Sequence, residues 1–313
     1  AADRYVTIFC IPSNLRLKGF VRLILTENLT GPSVWTGSEI TGEASWIHEL
    51  TEGEIAFLDN ALSSLRISGK SFPNFVKEDF QIPAWTERLR FLSAELEDGR
   101  GFFVMRGFPV ERYSEADINN FYYGIGLNLG TPVRQNPKGD LLGTVMNVGD
   151  PNDRETRVYE TNAYLPYHTD PSDVVGLLCL RKAKSGGVSS LVSVASVYNE
   201  ILENHPEYLG LFYRTWYYAH LGEDIPSLSP LFSYNAGKLS FRYLRQYIEL
   251  GHEVMELPLL RVEREALDLF DSIAQRDKLR LDMILERGDL RWANNYTVLH
   301  SRTSFEDYDN PER

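Results

Sequence analysis

Apolar and polar residues alternate with two different periods along this chain, and the change of period marks out most of its elements. From Thr51, apolar residues recur at helical spacing at Ile55, Leu58, Ala61, Leu62 and Leu65, with Thr51 and Glu54 as a capping box ahead of them and Gly69 behind. A second amphipathic helix is predicted from Trp85 to Glu97, and a third opens at Ser114 and runs to Gly130. Between them Phe102-Phe103-Val104-Met105, held by Gly101 and Gly107, reads as a short buried strand.

Short strands dominate the rest of the chain. They are predicted at 141–148, 174–180, 188–194, 215–220, 279–285, 290–293 and 297–299, with a hairpin over 230–243 turning at Asn235-Ala236-Gly237. Helices are expected at 196–203, 206–213 and 262–276. Many short strands with helices early and in insertions suit an antiparallel double-sheet barrel, so the fold class expected is mainly β with flanking helices. Residues 1–29 are apolar without sustained period, which leaves a strand, an unstructured lead and a non-native start all open. No repeat, low-complexity tract or long linker interrupts the remainder, so residues 30–313 are read as one domain.

Composition narrows the function. With 313 residues, 43% hydrophobic and 24% charged, the chain has material for a large core. A formal net charge of −12 argues against a general nucleic-acid or anionic-membrane binder. Cys10 and Cys179 are too few for a disulfide framework, and Cys179 lies in an apolar run where a thiol behaves as a small hydrophobe. No stretch reaches the length of a membrane span, and the start reads as neither signal peptide nor anchor, which points to the cytoplasm. The partner expected is a small-molecule substrate, and a homo-oligomer is compatible with this composition.

Candidate chemistry centres on Tyr164-Leu165-Pro166-Tyr167-His168-Thr169-Asp170. In an extended strand residues i and i+2 share a face, so His168 and Asp170 can converge on one point. Alone, His-x-Asp arises often by chance. A second island, Gly288-Asp289-Leu290-Arg291-Trp292-Ala293-Asn294-Asn295 with Val298-Leu299-His300-Ser301-Arg302-Thr303 after it, adds a third donor. Two histidines and one carboxylate on one side of an octahedral iron leave three positions open, which is what a non-haem Fe(II) oxygenase needs. His168, Asp170 and His300 fit that need, whereas His48, His205, His220 and His252 lack such company.

With both islands in view, the chain from about Thr30 onward resembles the TauD/TfdA family of Fe(II)- and 2-oxoglutarate-dependent dioxygenases. The resemblance rests on His168-Thr169-Asp170, Gly186-Gly187-Val188-Ser189, and the block from Asn294-Asn295 to His300-Ser301-Arg302-Thr303, in the family's order. It implies a double-stranded β-helix (jelly roll, cupin-like), with Fe(II) as metal and 2-oxoglutarate and O2 as cosubstrates. It also implies oxidation of an unactivated C–H bond, most simply hydroxylation, with release of succinate and CO2. Ser189 matches the family's hydroxyl on a 2-oxoglutarate carboxylate, with Ser190 as neighbouring alternative and a plain Gly-Gly turn as the structural reading of the same residues. The family's arginine on the far carboxylate comes after the distal histidine; here it is expected just past Arg313, which is itself the remaining candidate.

Substrate contacts are expected from Asn162, Tyr164 and Tyr167 beside the ligand strand, and from Arg242, Tyr243, Arg245 and Trp292 on strands lining or capping the mouth; core packing is the competing role for the aromatic ones. Two other functions stay open on the residues alone. Two histidines, a carboxylate and a water also make a zinc hydrolase, and a binding protein without catalysis would not need His168 or Asp170.

Overall fold

A computed structural model of the chain describes residues 4–10, 24–136, 138–147, 149, 161–219 and 225–308. Strand β1 (Arg4–Cys10), helix α1 (Gly37–Ile40) and strand β2 (Ile47–Glu49) open the chain. Helices α2 (Glu52–Ile67) and α3 (Thr86–Glu97) precede β3 (Phe102–Arg106), and α4 (Glu115–Leu129) leads into β4 (Thr131–Pro132) and β5 (Gly143–Val145). The middle of the chain supplies β6 (Leu165–His168), β7 (Val174–Cys179), β8 (Ser185–Gly186) and β9 (Ser189–Ser193), then α5 (Val194–Asn204) and α6 (Leu209–Tyr213). Next come two hairpins, β10 (Thr215–Tyr218) with β11 (Ser227–Pro230) and β12 (Phe232–Asn235) with β13 (Lys238–Phe241). Helices α7 (Arg245–Val254) and α8 (Arg261–Ala274) lead to β14 (Arg280–Met283), β15 (Leu290–Asn294), β16 (Val298–Arg302) and β17 (Phe305–Glu306).

Two sheets carry the site. The larger has the order β2-β3-β15-β7-β1-β4, with β5 also on β1; the smaller has β14-β9-β16-β6. All pairings are antiparallel except β2 on β3. Phe102, Val104, Val175, Leu177 and Ala293 of the larger sheet pack with Leu191, Leu281, Met283 and Val298 of the smaller. The alternation along each strand then sends the neighbouring residues outward. Phe103, Met105, Leu178 and Trp292 meet α2, α3 and α4, while Val192 and Leu299 meet α5 and α8.

This double-sheet arrangement agrees with the jelly-roll expectation, with a correction. Among the described residues the sheets do not close into a barrel, and helices cover both outer faces. The physical reason is that β7, β9, β15 and β16 are buried at every position, so each sheet needs an apolar cover on both sides.

Local signals explain several elements. Thr51 caps α2 reciprocally with Glu54, and Ser114 caps α4. Ala236 and Gly237 both take positive φ, 50° and 81°, in the turn of the β12–β13 hairpin. Gly186 has φ 72°, and a Cβ there would stand 2.1 Å from the Ser304 carbonyl oxygen, so only glycine lets β8 lie against β17. Sequence reasoning predicts no helix over 245–254, where the structure has α7 with Ile248, Gly251 and His252 buried. Arg242 and Tyr243 accordingly lie just beyond β13 and Arg245 opens α7, rather than all three standing on strands.

Candidate metal centre

The smaller sheet brings the three donors together. His168 ends β6, and β16 runs antiparallel beside it with His300 directly opposite. Asp170 lies two residues past His168, in the turn beyond the strand. Its backbone N–H donates to Asn295 Oδ1 at 3.0 Å, and Asn295 Nδ2 donates to Ser172 Oγ at 3.0 Å. Thr169, between the ligands, is turned away and exchanges two bonds with the Tyr243 backbone. Chain segments far apart in sequence thus fix where the carboxylate points.

The donor atoms of His168, Asp170 and His300 all lie within 4.8 Å of one another, a grouping that can hold a metal ion. Asp170 Oδ1 is 3.9 Å from His168 Nε2, and Oδ2 is 3.4 Å from His300 Nε2. Both rings are buried, with centroids 4.2 Å apart. His168 Nδ1 stands 2.8 Å from the Pro166 carbonyl oxygen, which can only accept. Nδ1 therefore carries the proton, and Nε2 presents its lone pair to the centre. His300 Nε2 is 3.1 Å from Asn295 Oδ1, so a metal ion held there would take the place of a proton on that nitrogen.

Electrostatics favour the ligating forms. Burial, then the neighbouring His300, pushes the His168 imidazole down to about 4 against the opposing pull of Asp170. Burial works to raise the Asp170 carboxyl, but the hydrogen bond from His300 and the charges of His300, His168 and Arg291 overcome it and hold the group at about 2. At neutral pH the His168 candidate is a neutral imidazole and the Asp170 candidate a carboxylate, a nitrogen and oxygen set suited to Fe(II).

The inner face continues beyond the histidines. On β9, Leu191 lies opposite His300 and Ser189 opposite Arg302. Ser189 is buried and accepts a hydrogen bond from Arg291 Nη1 at 2.5 Å. Ser190 faces the other way, bonded to Tyr167 Oη at 2.5 Å and Asp282 Oδ1 at 2.6 Å, so Ser189 is the serine on the metal side. Arg291 and Arg302 are both buried. Arg302 donates Nη2 to the Thr161 and Ala163 carbonyls at 2.9 Å and lies over the Phe305 ring.

The candidate substrate residues divide. Tyr164 is 45% exposed, and Asn162, also exposed, accepts from the Phe305 backbone. Arg242 is half-buried, its guanidinium over the Tyr218 ring. Trp292 is corrected: it turns from the inter-sheet layer into the helical core, fully buried and close to Tyr122, because its neighbours Arg291 and Ala293 take the inner face. Tyr243 is a buried brace whose hydroxyl donates to Asp271 at 2.7 Å, and Arg245 bonds to Asp271 and Glu249. Arg313 and His220 lie outside the described residues.

Arg291 and Asn295 are the functional candidates to which sequence reasoning assigns no role. The one available signal for Arg291 is a charged residue inside the apolar strand Leu290-Arg291-Trp292-Ala293.

Comparison with known proteins agrees with this geometry. FR-33289 synthase of Streptomyces rubellomurinus is 32% identical over 292 residues, covering 91% of this chain and 86% of that protein. Among solved structures, an asparagine oxygenase bound to Fe(II), 2S,3S-3-hydroxyasparagine and succinate superimposes with a TM-score of 0.68 at 18% identity, covering 85% of this chain and 90% of that one. The non-haem iron oxygenase OrfP, in complex with Fe and alpha-ketoglutaric acid, gives a TM-score of 0.61 at 17% identity, with 85% and 90% covered. These likenesses place the two sheets in the cupin-like fold of such oxygenases. No helix among the described residues is long and apolar enough to cross a membrane. Residues 68–313 match the family described as taurine catabolism dioxygenase TauD, TfdA family, which sets aside the hydrolase and the binding protein without catalysis: the chain belongs to the TauD/TfdA family and is a non-haem iron dioxygenase that uses Fe(II) and 2-oxoglutarate.

Proposed function

We propose that His168 Nε2, the Asp170 carboxylate and His300 Nε2 hold Fe(II), and that the enzyme hydroxylates a C–H bond of a small organic substrate within one domain spanning residues 30–313. The observation that carries this reading is the convergence of the three donor sets within 4.8 Å on the inner face of the smaller sheet. When bound, Fe(II) with 2-oxoglutarate supplies the oxidising chemistry: one atom of O2 enters succinate as CO2 leaves, and the other enters the substrate.

The chain's own residues prepare that chemistry. The Pro166 carbonyl fixes the His168 tautomer, and Asn295 holds the Asp170 turn against β16. Ser189 offers a hydroxyl to a carboxylate of the cosubstrate, on the same face as the metal donors. Leu191, opposite His300, and Val298 keep that side of the centre apolar and limit water. Asn162, Tyr164 and Arg242 are the positions proposed for the substrate, since they adjoin the ligand strand or the segment bonded to Thr169 and keep exposed surface.

A small substrate with polar groups accords with the hydroxyasparagine and hydroxyarginine ligands named for structural relatives. The test is a panel of amino acids and other small acids, assayed under 18O2 with mass analysis of products and succinate. The reading expects one labelled oxygen atom in the product for each succinate formed. A product that has lost two hydrogens and gained no label would contradict hydroxylation.

A further inference from the structure

Asp170 stands where the strand ladder has ended. β6 stops at His168, so the carboxylate is carried by a turn, and what holds a turn is the bonding of the residues in it. Asn295 holds this one from the β16 side. Thr169, buried between the two ligands, holds it from the other. Its backbone N–H donates to the Tyr243 carbonyl at 2.8 Å, and its Oγ1 accepts from the Tyr243 backbone N–H at 3.0 Å. Both backbone groups of Tyr243 thus bond to one residue, the second through a side-chain oxygen that stands in for a ladder carbonyl.

Tyr243 is anchored in its turn outside the two sheets. Its ring is fully buried, with its centroid 5.7 Å from that of Phe241 and 4.6 Å from that of Phe270 on α8. Burial and then the charge of Asp271 push its hydroxyl well above the ordinary tyrosine range, so it keeps its proton and donates to Asp271 Oδ1 at 2.7 Å. Asp271 Oδ2 accepts from Arg245 at 2.8 Å, and the same guanidinium reaches Asp268 on α8 and Glu249 on α7. A path of hydrogen bonds therefore runs from α8 through one tyrosine to the residue between two candidate metal ligands. Packing and an acceptor for the hydroxyl would satisfy a tyrosine of the core. The return of both backbone bonds to Thr169 ties this one to the ligand turn.

We propose that Thr169, Tyr243 and Asp271 form a tether that sets where the Asp170 carboxylate stands, and that all three are positioning residues for the metal centre although none of them offers it a donor atom. This rests on the reading of His168, Asp170 and His300 as metal ligands.

The test is titration of the metal-free protein with Co(II), whose visible absorption reports both affinity and the arrangement of its ligands, alongside thermal unfolding of the same proteins in chelator. Thr169→Val keeps the side-chain shape and removes the acceptor; its Kd for Co(II) should rise about 10-fold with a changed band shape, as for loss of a group that orients a ligand. Tyr243→Phe removes only the hydroxyl and should raise the Kd about 5-fold, the worth of one hydrogen bond. In the double variant the Kd should match that of Thr169→Val, since cutting one tether twice adds nothing. Thr169→Ser, which restores the hydroxyl, should stay within about 2-fold of the unsubstituted protein. A merely structural bond would lower the unfolding temperature and leave Co(II) affinity and spectrum alone. A Kd within about 2-fold of the unsubstituted protein in either single variant, effects that multiply in the double variant, or a Thr169→Ser as weak as Thr169→Val overturns the tether. If Thr169→Val does not fold, Tyr243→Phe decides by the same limit. No Co(II) uptake by the unsubstituted protein, or uptake undiminished in His168→Ala, would bring down the metal reading and the tether with it.

Discussion

Three strands change character within two residues as they cross the layer between the sheets. Val298 gives way to His300 on β16, Leu191 to Ser189 on β9, and Ala293 to Arg291 on β15. On one side of that line Phe102, Val104, Val175, Leu177 and Leu281 make a dry contact between the sheets. On the other stand His168, His300, Ser189, Arg291 and Arg302, all buried, with Asp170 half-buried among them. The same backbone framework supports both parts. Buried ionisable groups cost desolvation free energy that apolar side chains do not, so the apolar part holds the sheets together and the polar part exists for what it binds.

The largest expected effect on the polar part comes from removing a ligand. Asp170→Ala should weaken Fe(II) binding by more than about 100-fold, read by equilibrium dialysis under anaerobic conditions, with little change in thermal unfolding of the chelated protein. Phe102→Ala should do the reverse, lowering unfolding free energy by about 3–5 kcal/mol in urea titration while the metal still binds. A matching loss of metal affinity in Phe102→Ala would erase the distinction between the two parts.

The remaining effects are smaller. Asn295→Ala should lower metal affinity by about 10- to 100-fold, because it frees the Asp170 turn without removing a ligand. Acid should act through His168: an unfolded histidine titrates near 6.5 and the folded one at about 4, so as pH falls below 6.5 the unfolded chain takes up the proton first. Between pH 7 and 5 the chelated protein should lose on the order of 2 kcal/mol of stability from this group, a part of the slope that His168→Gln removes. Smallest of all, Ser189→Ala should weaken 2-oxoglutarate binding by about 5- to 10-fold, whereas Ser190→Ala, on the outer face, should leave it unchanged.

Legibility in the sequence divides along the same line. His168, Asp170 and His300 stand out because their chemistry and order are tied to short contiguous motifs, and the apolar strands around them because turns bound them. Which face of a strand looks inward is not legible where both faces are buried. On β15 every position is buried, so sequence reasoning places Trp292 at the mouth, whereas it turns into the helical core. Ser189 and Ser190 are equivalent in sequence until pairing with β16 fixes their directions. Helix α7 escapes sequence reasoning because it is short, carries Gly251 in its interior and buries only Ile248, Gly251 and His252, and Arg245 is expected on a strand for that reason.

The most direct test of the account is anaerobic addition of Fe(II) and then 2-oxoglutarate to the purified protein, with visible absorption recorded at each step, alongside His168→Ala. A weak metal-to-ligand band that grows with 2-oxoglutarate and is lost in His168→Ala is the expected result. A band of undiminished strength in His168→Ala, or bound Fe(II) with no band in the unsubstituted protein, would contradict it.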